Sequence, residues 1–325
     1  MILCVFTVYT QHLSNMLVWI IFLSLITVFL SLDLGIFNRV PHIISSKEAS
    51  FWTVLWVSIA LSFSGVIYWV YSANIIHNID QLSASEATIK YITGYLIELS
   101  LSLDNIFVIA IIFSSFKVPM KYQHRVLFWG ILGAIVFRGL MIFFGVYLIH
   151  KFSWVTYIFG AFLIYTSYKM LVTEEEKEFR PRDSFVYKTF KKFIPVTRNF
   201  QEEHFFVKRR HIIAATPLFI VLIIIEFTDI LFALDSVPAI LAITSDPFLV
   251  FSSNIFAIMG LRSMYFFLSN MMEKFAHLRY SLIAILTFVG VKLILTEYVH
   301  FPEWVSLTFI GLSLGIGIVV SLRQK

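Results

Sequence analysis

Nine apolar runs, each long enough to cross about 30 Å of hydrocarbon, fall at residues 13–37, 52–72, 91–115, 124–149, 154–172, 212–244, 247–270, 277–296 and 303–322. Hydrocarbon offers no partner for a backbone N–H or C=O. A run that crosses it must therefore bond to itself, and each run predicts an α-helix. The predicted fold class is all-α, a polytopic membrane protein of nine transmembrane helices. Composition agrees, with 59% hydrophobic and 14% charged residues, against about a quarter charged in ordinary soluble domains.

The connections alternate in charge. Residues 38–51, 116–123, 173–211, 271–276 and 323–325, with Arg125 and Arg279 beside them, hold 19 of the 25 Lys and Arg residues. The opposite connections carry only Lys90 and Lys151, alongside Asp80, Glu86, Asp246, Glu297 and Glu303. Basic connections stay on the cytoplasmic side. The expected orientation has the N-terminus outside and the C-terminus inside. The formal net charge of +5 is then a topology signal, and nucleic acid is not an expected partner. One cysteine, Cys4, excludes a disulfide framework, a thiolate cluster and a two-cysteine redox motif. No Lys or Arg precedes the first apolar run, which argues against a cleaved signal peptide.

Two segments depart from the simple pattern. The sixth run has 33 residues and would reach about 50 Å as one helix. It contains Pro217 and Pro238, so a helix broken near Asp235 is expected. The segment 173–211 mixes the acidic stretch 174–178 with Lys188, Lys191 and Lys192, and Val186, Phe190 and Phe193 recur at helical spacing. It reads either as a short interfacial helix on anionic lipid or as a solvated linker, and it is the stretch through which another membrane protein could dock.

The chain also matches itself. ELSLSLDN (98–105) aligns with DILFALDS (229–236), Arg138 with Arg262, and Lys169 with Lys292. Two successive sets of three helices must have opposite orientations in the membrane, so the match predicts an inverted-topology repeat, with a substrate site at the midplane between the copies. The expected organisation is two helices and an external loop (1–90), a first three-helix repeat (91–172), a cytoplasmic segment (173–211), a second repeat (212–296) and a final helix (297–325).

Six carboxylates lie within spans, Asp33, Glu98, Asp104, Glu226, Asp229 and Asp235, with four cations, Arg138, Lys169, Arg262 and Lys292. An ionised group at the bilayer centre costs roughly 2.5–3.5 kcal/mol even on a lenient scale, so these groups must be paired, hydrated or bound to an ion. Asp33, Lys169 and Lys292 are near enough to helix ends to reach the interface. Arg138 and Arg262 lie deeper and are expected to fix acidic neighbours. Pairing leaves two carboxylates over, which suits a divalent cation, or protons when the site is empty. Glu98 and Asp104 are six residues apart, as are Asp229 and Asp235, about 120° around a straight helix. Each pair either serves two positions along a path or is brought together by unwinding. The buried donors are these carboxylates with Asn105, Ser236 and nearby hydroxyls, and no histidine lies deep within a span. An all-oxygen set suits Mg2+, Ca2+ or Mn2+ over Zn2+ or Cu2+, and is equally open to Na+ or protons.

The motifs GYLIELSLSLDN (94–105), FKVPMKYQHRVLFWGILGA (116–134), IEFTDILFALDSVPAI (225–240) and DPFLVFSSNIFAIMGLR (246–262) resemble the TerC family of integral membrane proteins, named for tellurium resistance. The resemblance covers about residues 50–322, and Asp33 in LDLGIF is similar to the family's first helix. It implies export of manganese from the cytoplasm through a fold similar to that of LysE-type exporters, with metal handling at Glu98, Asp104, Glu226, Asp229 and Asp235. Asn105 and Ser236 join them as neighbouring oxygen donors. Mn2+ is then cargo, and no prosthetic cofactor is expected. The competing reading is a membrane scaffold that assists insertion or metal loading of exported proteins. No Ser/His or His/Glu zinc pattern lies in a span, so an enzyme is not expected. The oligomeric state is open.

Overall fold

A computed structural model describes residues 2–35, 45–76, 78, 80–152, 154–172, 195–197, 199–209, 212–269, 278–295, 298–299 and 302–323. Within them the helices are α1 (Ile2–Gly35), α2 (Ser46–Ser72), α3 (Ala84–Phe116), α4 (Met120–Lys151), α5 (Val155–Val172), α6 (Pro217–Leu241), α7 (Pro247–Ser269), α8 (Leu278–Leu295) and α9 (Glu303–Arg323). Eight of these are long and apolar enough to cross a membrane. The ninth, α8, carries Arg279 and Lys292 and lies along α5. The chain is an all-α polytopic membrane protein. The expected interfacial helix near 186–193 lies outside the described residues.

Local chemistry sets the helix ends. Ser83 accepts from the Glu86 N–H while the Glu86 carboxylate accepts from the Ser83 N–H, a reciprocal cap that starts α3. Lys117, at φ 54°, closes α3 in the left-handed region, and Val118-Pro119 leads into α4. Asp246 starts α7 by accepting from the N–H groups of Phe248 and Leu249 at 3.0 and 3.2 Å.

The sixth apolar run corrects the expectation of a broken helix. Its first four residues form strand β2 (Ile212–Ala215), which pairs antiparallel with β1 (Phe206–Arg209), and Pro217 opens α6 at the first turn, where its missing N–H costs nothing. The excess length is thus spent before the helix begins. Pro238 lies inside α6 but within its last turn, so α6 passes Asp235 without a break. Asp229 and Asp235 therefore stay about 120° apart and meet different neighbours.

Three helix pairs run antiparallel. In α3 and α6, Asn105 meets Asp229 while Gly94 lies beside Ile240. In α4 and α7, Gln123 meets Tyr265 while Gly139 lies beside Phe251. In α5 and α8, Gly160 lies against Gly290 while Ser167 donates to the Ile283 carbonyl at 3.2 Å. At the Gly160–Gly290 crossing, a Cβ on either residue would stand 2.9 or 3.0 Å from the other's carbonyl oxygen, so only glycine permits that approach. Apolar clusters pack the helices on either side of the polar residues. One joins Ile106–Phe116 of α3 to Leu218–Ile225 of α6. Another joins Ile97 of α3 to Val237–Ile243 of α6. Along α6, Asp229 and Asp235 lie between the segments that these clusters use.

Candidate functional site

Arg138 of α4 is 1% exposed and bridges two helices. Its Nη2 and Nε donate to the two oxygens of Asp229 at 2.8 and 3.1 Å, and its Nη1 pairs with Glu98 Oε1. Asn254 of α7 donates to the other Glu98 oxygen at 3.0 Å, and Asn105 donates to Asp229 Oδ1 at 3.3 Å. The bidentate fork is the geometry in which arginine binds a carboxylate best. Glu98 and Asn105 are seven residues apart, two helical turns, and so face the same partners. Two carboxylates and one guanidinium leave a net charge of −1 on this clamp.

Asp235 lies elsewhere. Thr166 of α5 donates to its Oδ1 at 3.0 Å. Asp235, Ser236 and Asn105 border a cavity of about 350 Å³ that also meets Arg138, Lys169 and Arg279. Ser236 is 1% exposed and Asn105 3% exposed, yet Ser236 Oγ and Asn105 Oδ1 have no hydrogen-bond partner. A buried oxygen without a partner costs about 1–3 kcal/mol. Two on one cavity, beside a carboxylate, make a set of oxygen donors that a hard cation satisfies.

Glu226 is half-buried and packs against Gly133 of α4 so closely that a Cβ there would collide with its carboxylate. One of its oxygens, Oε2, is buried without a partner. Asp104 belongs to α3, and its side chain lies outside the described residues, as does that of Asp33. No group of three or more His, Cys, Asp or Glu side chains converges on one point among the described residues.

A second polar cluster closes the other end of the bundle. Ser245 donates to both oxygens of Asp80 at 3.1 and 3.0 Å, tying the loop before α3 to the α6–α7 turn. Asp246 is 2% exposed. Burial pushes its carboxyl above the ordinary range, opposed by the neighbouring Tyr71 hydroxyl and by the hydrogen bonds from the N–H groups of Leu249 and Phe248.

The profile of the integral membrane protein TerC family matches residues 83–325, three quarters of the chain and all of the clamp and cavity. The chain belongs to the TerC family. Its relatives include STKORF319, an uncharacterized membrane protein of Myxococcus xanthus, 46% identical over 94% of this chain and 92% of that one. A Salmonella typhi protein, named Alx with the proposed role of membrane-bound redox modulator, is 41% identical over 94% of each chain. Its Escherichia coli K12 namesake is 41% identical over 90% of this chain and 89% of that one. No solved structure matches.

Within this TerC-family bundle the expected residues divide into three places. Glu98 and Asp229 hold Arg138, with the Asn105 amide on Asp229, Asp235 and Ser236 border the cavity, and Glu226 faces Gly133. Arg138 fixes acidic neighbours as expected. Arg262 meets His124 Nε2 at 2.9 Å. Lys292, expected to reach the interface, is 6% exposed and donates to Ser306 of α9 at 3.0 Å. Sequence reasoning missed Asn254 and Thr166. Asn254 ends Ser252-Ser253-Asn254, a polar triplet in an apolar run, and this was its only signal. Thr166 had none, since threonine is ordinary in membrane helices.

Proposed function

We propose that this chain is a transporter that exports a divalent cation, Mn2+ first among them, from the bacterial cytoplasm by alternating access. The observation that carries this reading is the pair of unpartnered buried oxygens, Asn105 Oδ1 and Ser236 Oγ, on the cavity that holds Asp235. Amide, hydroxyl and carboxylate oxygens are the ligands of a hard cation. A sparse set binds weakly enough to release, which conduction requires. Asp104 aligns with Asp235 in the repeat and is the second carboxylate proposed for the ion. Glu98 and Asp229 serve it indirectly, by fixing Arg138 and so the positions of α3, α4 and α6. Glu226 is a further stop on the path.

The antiparallel pairing of α3 with α6, α4 with α7 and α5 with α8 supports the inverted repeat. Under the Lys169–Lys292 alignment, Gly160 corresponds to 283 and Gly290 to 167. The Gly160–Gly290 contact and the Ser167–Ile283 hydrogen bond are then equivalent contacts about a two-fold axis. We place the N-terminus outside on the charge of the connections, so that Lys169 and Arg279 border the cytoplasmic mouth. The redox role in the name of the Alx relatives would run through the metal moved, since Cys4 gives this chain no dithiol.

The test is Mn2+ flux in sealed vesicles containing the purified protein. Wild type should accumulate Mn2+ in inverted vesicles. Asp235→Asn should reduce flux by roughly 10- to 100-fold, the range seen when metal-site groups are lost, with insertion intact. Flux unchanged in Asp235→Asn would overturn the cavity as the path, and absence of flux for any divalent ion would favour the scaffold reading.

A further inference from the structure

The polar cluster at the other end of the bundle holds two carboxylates and no counter-ion. Ser245 donates to both oxygens of half-buried Asp80 at 3.1 and 3.0 Å, and the next residue along the chain is Asp246. The two acids are therefore drawn together where the loop before α3 meets the α6–α7 turn. Neither pairs with a Lys or Arg among the described residues.

The oxygens of Asp246 are not equivalent. Oδ1 accepts from the N–H groups of Phe248 and Leu249, whereas Oδ2 is buried without a hydrogen-bond partner. Tyr71, at the end of α2, packs in one apolar cluster with Phe248 and Leu249. It is 3% exposed, and Asp246 is 2% exposed. The Tyr71 hydroxyl neighbours Asp246 and is likewise buried without a partner. Two enclosed side chains from different helices thus each leave an oxygen unsatisfied beside a second carboxylate, an arrangement that is costly unless something else meets those oxygens.

We propose that Asp80, Asp246, Tyr71 and Ser245 form a site for Ca2+, which staples the loop before α3 to the α6–α7 turn. The site is separate from the Asp235 cavity and does not rest on the transport reading. Its donors are all oxygen, and its two negative charges match one divalent ion. Ca2+ accepts an irregular set of carboxylates and neutral oxygens, while Mg2+ demands near-octahedral geometry and keeps several waters, for which an enclosed cluster has little room. Two carboxylates place the affinity in the weak range of extracellular sites, a Kd of about 0.1–1 mM.

The test uses the full chain in lipid nanodiscs, with CaCl2 as the probe and EDTA as the reference. At about ten times the half-saturating concentration, Ca2+ should raise the wild-type thermal midpoint by a few degrees and slow hydrogen exchange in peptides covering residues 73–83 and 241–247. MgCl2 should do so only at higher concentration, and NaCl at equal ionic strength should not. Asp80→Asn, a change at a half-buried loop position, should abolish both effects, as should Asp246→Asn. Tyr71→Phe should require severalfold more Ca2+. Asp235→Asn should respond as wild type does. A response equal in Asp80→Asn and wild type, or matched by NaCl, would overturn the site, the latter by reducing the effect to screened repulsion between two acids. A response lost in Asp235→Asn but kept in Asp80→Asn would overturn it by moving the ion to the cavity.

Discussion

The Arg138 clamp and the Asp235 cavity are neighbouring regions that share Asn105, and they handle buried charge in opposite ways. In the clamp every carboxylate oxygen of Glu98 and Asp229 meets a guanidinium or an amide. In the cavity, Asp235 receives one hydroxyl hydrogen bond, and two buried oxygens beside it have none. A charge whose partners are all protein groups holds helices together. An oxygen whose partner is missing marks where something else goes. Asn105 belongs to both regions, its nitrogen on the clamp and its oxygen left for the cavity. A change in the cavity can therefore be felt by the clamp.

The comparison breaks most visibly at Arg138. Removing one partner of a buried pair strands the other charges and costs about 3–5 kcal/mol. Arg138→Met strands Glu98 and Asp229 together, so it should lower the thermal midpoint in detergent sharply or abolish accumulation of the folded protein. Arg138→Lys should recover only part of the loss, because an ammonium cannot donate bidentately to Asp229 while reaching Glu98. Asp235→Asn, by contrast, should leave the midpoint within a few degrees of wild type while flux collapses. Equal thermal losses in Arg138→Met and Asp235→Asn would erase the distinction between clamp and cavity.

The helices were legible because hydrocarbon enforces them. The predicted runs at 52–72, 91–115 and 303–322 lie inside α2, α3 and α9, with ends that moved by the few residues that caps such as Ser83–Glu86 decide. The sixth run misled because apolar residues 212–215 suit a strand as well as a helix, and pairing with residues 206–209 decided between them. The charged residues of the site were legible by their cost in a bilayer. Their partnerships were not. Composition leaves six carboxylates and four cations to be matched, and the match follows from which helix faces meet. Glu98 and Asn105 share a face and so meet the joined pair Arg138 and Asp229, one each, whereas Asp235, 120° around α6, turns to α5. Asp246 resembled a loop carboxylate in the sequence and is instead an enclosed helix cap.

Glu226 is an intermediate case, with one buried oxygen unpartnered as in the cavity but with its carboxylate pressed onto α4 as in the clamp. Gly133→Ala sharpens which description holds. The added methyl collides with the Glu226 carboxylate, and overpacking of this kind costs about 1–3 kcal/mol. If Glu226 is held rigidly, the thermal midpoint should fall with flux intact per folded molecule. A fall in Mn2+ flux without a thermal loss would instead bear out Glu226 as a stop on the ion's path.

The smallest effect is expected at Asp246, a locked carboxylate far from Arg138. Neutralising it should have the opposite consequence to neutralising Asp235. Asp246 caps α7 through Phe248 and Leu249, and asparagine caps a helix about as well as aspartate. Burial raises the Asp246 carboxyl above its unfolded value, so the folded state binds its proton more tightly than the unfolded chain does. Stability from this group is then greatest below the unfolded pKa of about 3.9. It declines as pH rises through the interval up to the folded value, and is flat above it. Asp246→Asn removes that decline while keeping the cap. It should raise the thermal midpoint by a few degrees at neutral pH, with the gain shrinking as the pH is lowered toward 4, and leave Mn2+ flux near wild type. A lower midpoint at neutral pH would mean that the ionised carboxylate contributes more through Tyr71 and the α7 N-terminus than its burial costs. A loss of flux with a normal midpoint would place Asp246 on the path of the ion rather than in the frame around it.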